Sequence, residues 1–213
     1  MCRPVDRTYN FIKKNILDGK YQPSEQLKEY DIAKEIGVSR NTVKKALLKL
    51  QYDNLINIQE NKGATVKSYN VEQVMNYFDI RRSLETIVIE TVVKNITEKE
   101  IKELESILSE MNKSLNQEDY ENYSVLNRNF HNFIYKTSDN QEAVQMIQRI
   151  KNQLLRIHIR TSLINGRNKS SLQEHKEIVS ALKERDKKAA KNAIYNHISN
   201  IRNVINDYHQ LLL

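Results

Sequence analysis

Between Ala64 and Asn165 the chain runs for 102 residues without a glycine or a proline. These two residues are the main punctuators of turns and strands, so a blank of this length predicts consecutive helices joined by short polar connections. The whole chain of 213 residues has only 4 Gly (Gly19, Gly37, Gly63 and Gly166) and 2 Pro, neither beyond Pro23. Such scarcity excludes a β-sandwich, and the absence of a Gly-rich phosphate loop excludes a Rossmann or P-loop fold. No apolar run reaches the length of a membrane span, and the N-terminus has no apolar signal core. The expectation is therefore a soluble, cytoplasmic protein with no membrane partner. The single Cys2 has no partner for an internal disulfide and reads as an exposed, incidental thiol.

Positive charge is concentrated at the front. Residues 1–68 hold 13 basic against 8 acidic side chains, a surplus of 5; the other 145 residues hold 21 against 19, a surplus of 2. A basic block on a small domain suits a polyanion, with nucleic acid the first candidate.

The local pattern of this block is specific. Tyr9, Phe11, Ile12 and Ile16 recur at helical spacing, and Asp18-Gly19 stops that helix. Gln22-Pro23-Ser24 reads as a loop, and a second helix is expected to carry Leu27, Ile32, Ala33 and Ile36. Two helices crossing closely need a small residue at the contact, which Ala33 supplies; Gly37 supplies a turn position tolerant of positive φ. Ser39 is placed to cap a third helix, whose inner face is Val43, Ala46, Leu47 and Leu50. Its outer face is Arg40, Asn41, Lys44, Lys45 and Lys49. Two short strands, Leu55–Ile58 and Ala64–Val66, then flank Glu60-Asn61-Lys62-Gly63 as a hairpin wing.

Residues 23–66, and above all Val38-Ser39-Arg40, Val43 and Ala46-Leu47, resemble the winged helix-turn-helix of GntR-type bacterial transcription regulators. The resemblance implies that the start of the third helix enters the major groove and the wing tip approaches the minor groove. By position, Arg40, Asn41, Thr42 and Lys44 become the groove-facing residues, with Lys62 and Gly63 at the wing tip and Lys45 and Lys49 on phosphate. Arg40 suits bidentate reading of guanine, and Asn41 suits adenine. Three positions depart from the family's usual pattern: Thr42 stands where many members have Pro, Lys44 where Arg is usual, and Tyr30 where an Arg is frequent. Lysine is a point charge without the planar fork of arginine, which weakens base discrimination at Lys44.

After residue 69 every segment reads as helix. A stripe of Val71, Val74, Phe78, Val88 and Val92 marks a helix from about 70 to 95. Thr97 with Glu100 forms a capping box, and Asp119, Asn140 and a second expected box of Ser171 with Glu174 open further helices. One long helix is expected from Asn140 through Leu154 and Ile157 to Leu163, and Arg185-Asp186 is a turn before the last helix. The sum is an up-and-down bundle of about six helices.

Three histidines fall into register. His131 lies four residues after Asn127, on the same helical face. His175 and His197 each stand 11 residues from Asp186, one on each side. In a helical hairpin those positions are level, about 16 Å from the turn. Three imidazoles and one amide oxygen can thus meet, and imidazoles suit zinc, nickel, manganese or iron. His158 and His209 have no such register and read as surface residues.

Residues 71–210 resemble the FCD effector domain of the FadR-type branch of GntR regulators. The pieces that carry this are Ile80–Glu85, Leu126–His131, Ser138-Asp139-Asn140 and the run from His175 through Ala181-Leu182 and Asp186 to His197. In this family an Asp and three His commonly hold a divalent metal, so the implied ligands are Asn127, His131, His175 and His197. Asn127 departs from the Asp; it offers a carbonyl oxygen but no charge, leaving the full charge of the metal for an anionic effector to meet. Arg81 shares the stripe of Val74 and Phe78 and has two readings, a grip on an effector carboxylate or an i,i+4 pair with Glu85. Arg156 and Arg160 are further effector-binding candidates.

The sequence therefore predicts a mostly α protein: a winged helix-turn-helix over 1–68 and an all-helical effector-binding and dimerisation domain over 69–213. It predicts a transcriptional regulator and not an enzyme. It would bind a palindromic double-stranded operator as a homodimer and answer to a small carboxylate metabolite, an organic or sugar acid, at a divalent metal, with repression as the expected sign. Two alternatives stay open: the same DNA role with a metal-free effector domain, and a metal-dependent hydrolase built on the three histidines.

Overall fold

The computed structural model describes residues 3–60, 63–161 and 164–212. Cys2, Lys62 and Leu163 lie outside the described residues, as does the side chain of His158. The chain divides into two compact units. One holds the residues up to 70 together with 151–156, and the other holds 71–150 and 157–212.

In the first unit, α1 (Pro4–Leu17) starts on a proline, whose missing N–H would have had no helical acceptor anyway. The short β1 (Gln26–Leu27), α2 (Glu29–Ile36) and α3 (Arg40–Tyr52) follow, then β2 (Ile56–Gln59) and β3 (Gly63–Val66). The antiparallel sheet has the order β1-β3-β2, with Leu27 opposite Ala64 and Ile56 opposite Val66. Ile12, Ile32, Ala33, Val43, Leu47, Leu50 and Ile56 form its core. Leu27 is not on the second helix as the periodicity suggested. It lies on β1, where Glu25 and Ser24 exchange backbone hydrogen bonds with Val66 (both 2.9 Å). A two-residue strand is too short to show a period of its own.

The join between α2 and α3 fixes how the third helix is presented. Gly37 takes φ 71°, and its N–H and that of Val38 both donate to Ala33 O at 3.0 Å. Ser39 then accepts from the Thr42 N–H at 3.1 Å, capping α3.

The second unit contains α4 (Val71–Asn95), α5 (Glu98–Asn116), α6 (Tyr120–Thr137), α7 (Gln141–Gln153), α8 (Leu155–Thr161), α9 (Arg167–Lys183), α10 (Lys187–Asp207) and α11 (His209–Leu212). Several starts are those expected. Thr97 and Glu100 form the full capping box, Asp119 accepts from the Asn122 N–H (3.0 Å), and Asn140 accepts from the Ala143 N–H (3.0 Å). Asp186 accepts from the Lys188 and Ala189 N–H groups, both at 2.9 Å. Helix α4 packs on α10 and α6, α9 packs on α10 and α5, and α5 packs on α6. Their shared core includes Val88, Val92, Leu104, Met111, Phe130, Ile147, Ile178 and Ile194. Arg185 reaches across from the α9–α10 turn and donates to Ile96 O (2.8 Å), satisfying a carbonyl that the end of α4 leaves open.

Two further expectations are corrected. The single helix from Asn140 to Leu163 is α7 and α8, interrupted at Leu154. The buried series Ile150, Leu154 and Ile157 keeps its 3–4 spacing through the interruption, so periodicity carried no trace of it. The second capping box does not form. Helix α9 begins at Arg167, entered through Gly166 at φ 79°, which places Ser171 and Glu174 inside the helix and buries both.

Alanine at Gly37 tests the α2–α3 turn. Its Cβ would meet nothing within 4 Å, so the penalty is the left-handed backbone alone. Gly37→Ala should cost about 1–2 kcal/mol, read as a lower urea midpoint; an unchanged midpoint would mean that the turn does not need this conformation.

Candidate functional site

The first unit presents α3 to solvent. Arg40, Asn41, Lys44 and Lys45 are exposed on its N-terminal two turns, and Thr42 is half-buried under the Ser39 cap. Arg40 is held loosely by Glu29 at 3.6 Å, with 70% of its side chain still exposed. Lys49 is engaged elsewhere: its Nζ lies 2.6 Å from Asp6 Oδ1 of α1. Helical phase explains the difference, because Lys49 stands at the edge of the face whose middle is filled by Leu48, 51% exposed. Sequence reading passed over Leu48 because it sits among the core leucines of the same helix. Gly63 is exposed at the start of β3 with φ 80°, while Lys62 beside it is outside the described residues.

In the second unit His131 of α6, His175 of α9 and His197 of α10 are all buried, with one ring nitrogen of each within 4.8 Å of the others. His131 Nε2 and His175 Nε2 are 3.3 Å apart. Two nitrogens bound to one zinc at about 2.05 Å and a tetrahedral angle stand about 3.3 Å apart, so this spacing fits a shared ion. The His175 and His197 ring centres are 4.7 Å apart, as their equal distances from Asp186 imply. Asn127, one turn before His131, has its Oδ1 shielded from solvent and without a hydrogen-bond donor among the described residues. A buried amide oxygen left open costs free energy unless a ligand meets it. His197 Nε2 is open in the same sense. The three buried histidines thus fit a divalent cation, for which imidazole nitrogens are common donors.

Two buried polar networks flank the histidines. On one side Arg81 Nε donates to Glu85 Oε1 (3.0 Å), and the Tyr135 hydroxyl donates to the same oxygen (2.6 Å). Of the two readings of Arg81, the pair with Glu85 is the contact present. Burial pushes the Tyr135 hydroxyl well above its usual range, with the Glu85 carboxylate adding to the effect, so it stays a donor. Its ring is inclined 29° to that of His131, with centres 6.2 Å apart. On the other side Arg167 grips Glu174 with two bonds (2.9 and 2.7 Å), and Glu174 Oε2 lies 2.7 Å from His197 Nδ1. Burial lowers His197 against the opposing pull of Glu174, so its imidazole is neutral at pH 7. Burial alone would raise Glu174, yet its hydrogen bonds with His197 and Arg167 hold it down to about 2.

Sequence reasoning missed Arg167, Glu174, Tyr135 and Asn200. Glu174 was visible beside His175 but had been assigned to a cap. Of the other effector-binding candidates, Arg156 groups with the first unit, and Arg160 Nη1 lies 3.4 Å from Leu212 O.

Residues 4–66 match the gntR family of bacterial regulatory proteins, and residues 76–200 match the FCD domain. The chain belongs to the GntR family of transcriptional regulators, in its FCD-domain form, and is a DNA-binding regulator, not an enzyme. It is 29% identical over 192 residues to the HTH-type transcriptional regulator YdhC of Bacillus subtilis, covering 90% of this chain and 86% of that one. It is 33% identical over 136 residues to the gluconate operon transcriptional repressor of the same species, covering 64% and 55% of the two chains. The solved structure of Escherichia coli McbR/YncC shares the fold, with a TM-score of 0.76 at 23% identity over 98% of this chain and all of that one. No helix among the described residues is long and apolar enough to cross a membrane.

The Arg81–Glu85 pair makes a sharp stability test. Glu85→Ala leaves a buried guanidinium unpaired and should cost about 3–5 kcal/mol in the denaturation free energy. The double variant Arg81→Met with Glu85→Leu should recover most of that loss. A single variant as stable as the parent would show that the pair is not buried in solution.

Proposed function

We propose that this chain is a cytoplasmic, ligand-controlled repressor. Residues 1–68 read a palindromic operator, and residues 69–213 dimerise and sense a small organic or sugar acid at a divalent metal, zinc, nickel or manganese. The convergence of three buried imidazoles carries the sensing half of this reading, and the open, shielded Oδ1 of Asn127, one turn before His131, supports it. When bound, the ion would supply positive charge and an open coordination position for a carboxylate oxygen. His131, His175, His197 and Asn127 would hold it. Arg81 stands ready to orient an acid, though its carboxylate partner Glu85 limits what it can offer. The donors at the site carry no negative charge, which favours an anion as the further ligand. Similarity to a gluconate operon repressor supports both the acid and the sign of regulation.

On the DNA side, Arg40, Asn41, Thr42 and Lys44 are the proposed base-facing residues, Lys45 and Lys49 the phosphate contacts, and Lys62 and Gly63 the wing tip. Dimerisation follows from the small number of base contacts a single head can make. Ligand binding lowers operator affinity through its differential affinity for two arrangements of the dimer. A second reading keeps the DNA role without a metal, and the neutral Asn127 is the observation in its favour.

Metal analysis separates these readings. The purified protein should carry a stoichiometric divalent ion that His175→Ala loses; no ion in either leaves the metal-free reading standing. DNA reading is tested in a shift assay on the chain's own upstream DNA at stated salt. Arg40→Ala should lose about 1–3 kcal/mol of specific binding. Lys67→Ala, whose Nζ is already bonded to Asn54 Oδ1 (2.9 Å), should lose far less. Equal losses would sink the groove assignment.

A further inference from the structure

We propose that Glu174, clamped by Arg167 and Asn200, is the positioning residue that makes His197 a metal ligand. The inference rests on the reading that the three histidines hold a divalent ion.

All the acceptor capacity of Glu174 is committed. Oε1 accepts from Arg167 Nη1 and Asn200 Nδ2, both at 2.9 Å. Oε2 accepts from Arg167 Nη2 and faces His197 Nδ1, both at 2.7 Å. A carboxylate has about four lone-pair directions, and four donors fill them. Glu174 therefore cannot turn to become a fifth ligand. A carboxylate clamped by Arg167 and Asn200 and set 2.7 Å from Nδ1 also settles which ring nitrogen of His197 carries the proton. Nδ1–H donates to Glu174, and the lone pair of Nε2 is left open for a metal. That Nε2 has no hydrogen-bond partner among the described residues.

Helix α9 is built to hold this arrangement. Arg167 and Glu174 are seven residues apart, two turns along one face, and both are buried. Arg167 is the first residue of α9, where a cation meets the positive end of the helix dipole, and the first turn has no acidic residue to offset it. Its position makes sense through Glu174 and not through the helix start. Glu174 and His175 are neighbours, about 100° apart around the helix. One reaches His197 on α10, and the other meets His131 on α6. A single helix thus contributes a ligand and, from the next residue, the group that orients another ligand.

The test uses the full chain stripped of metal, with zinc and nickel chloride titrated by calorimetry and the histidine tautomers read by 15N NMR. In Glu174→Gln, Arg167 and Asn200 claim the one remaining carbonyl oxygen. The amide NH2 then faces His197 Nδ1 and drives the proton to Nε2. Zinc affinity should fall about 10- to 100-fold, and the His197 signal should change tautomer before any metal is added. The double variant Arg167→Met with Glu174→Gln removes the leftover buried charge. It should regain folding stability without regaining zinc affinity, which a purely structural ion pair would not do. Parent-like zinc affinity in Glu174→Gln, or an Nε2–H tautomer in the parent, overturns the proposal alone. Failure of the parent to bind zinc or nickel overturns the metal reading and this proposal with it.

Discussion

Charge buried inside a helical bundle is the constraint from which most of this structure follows. The second unit places Arg81, Glu85, His131, Arg167, Glu174, His175 and His197 at 8% exposure or less. Each ionised group taken from water costs several kcal/mol unless a partner of opposite charge and the right geometry is already there. Both arginines therefore come with a glutamate on the same helix, at i,i+4 in α4 and i,i+7 in α9. The histidines are met differently, His131 and His175 by each other and His197 by the Glu174 carboxylate. Packing of apolar side chains such as Phe130, which lies 4.4 Å from the His175 ring centre, sets how closely the three rings approach.

The two units divide this burden. In the reading unit the charged side chains stay at the surface, and the core around Ile12, Val43 and Leu50 is apolar apart from the uncharged Thr8 and Asn15 of α1. Its precision comes from local devices, the left-handed Gly37 and the Ser39 cap, which aim α3 without burying a charge. In the helical unit precision comes from side chains that would be unstable alone. Exposed lysines and arginines suit a partner as variable as DNA, whereas a small ligand is recognised by groups that cannot move.

Much of this was legible in the sequence, and the failures have physical causes. Helix starts at Thr97, Asp119 and Asn140 were visible because an N-cap is a local chemical need met by neighbouring residues. The level pairing of His175 with His197 was visible because a helical hairpin conserves distance from its turn. Leu27 was misplaced because two paired residues in β1 depend on β3, nearly forty positions away in sequence. Glu174 was misread because Ser-x-x-Glu has the same letters whether it caps a helix or lies inside one. Only the earlier start at Arg167 distinguishes the two, and Gly166 was the clue to it. Interruption of the long helix at Leu154 left no mark on the apolar spacing.

Because the histidine centre is assembled from helical faces, its tolerance to insertion and deletion is unequal along the chain. One residue added or removed between Asn127 and His131, between Arg167 and Glu174, or between His197 and Asn200 turns one member of each pair about 100° away from the other. One residue added among the connections at 117–119 or 138–140 changes neither phase. Relatives that keep the same chemistry should thus vary in length only at such joints, and the fixed intervals within α6, α9 and α10 serve as a ruler by which the site can be found in a chain of otherwise unrelated sequence.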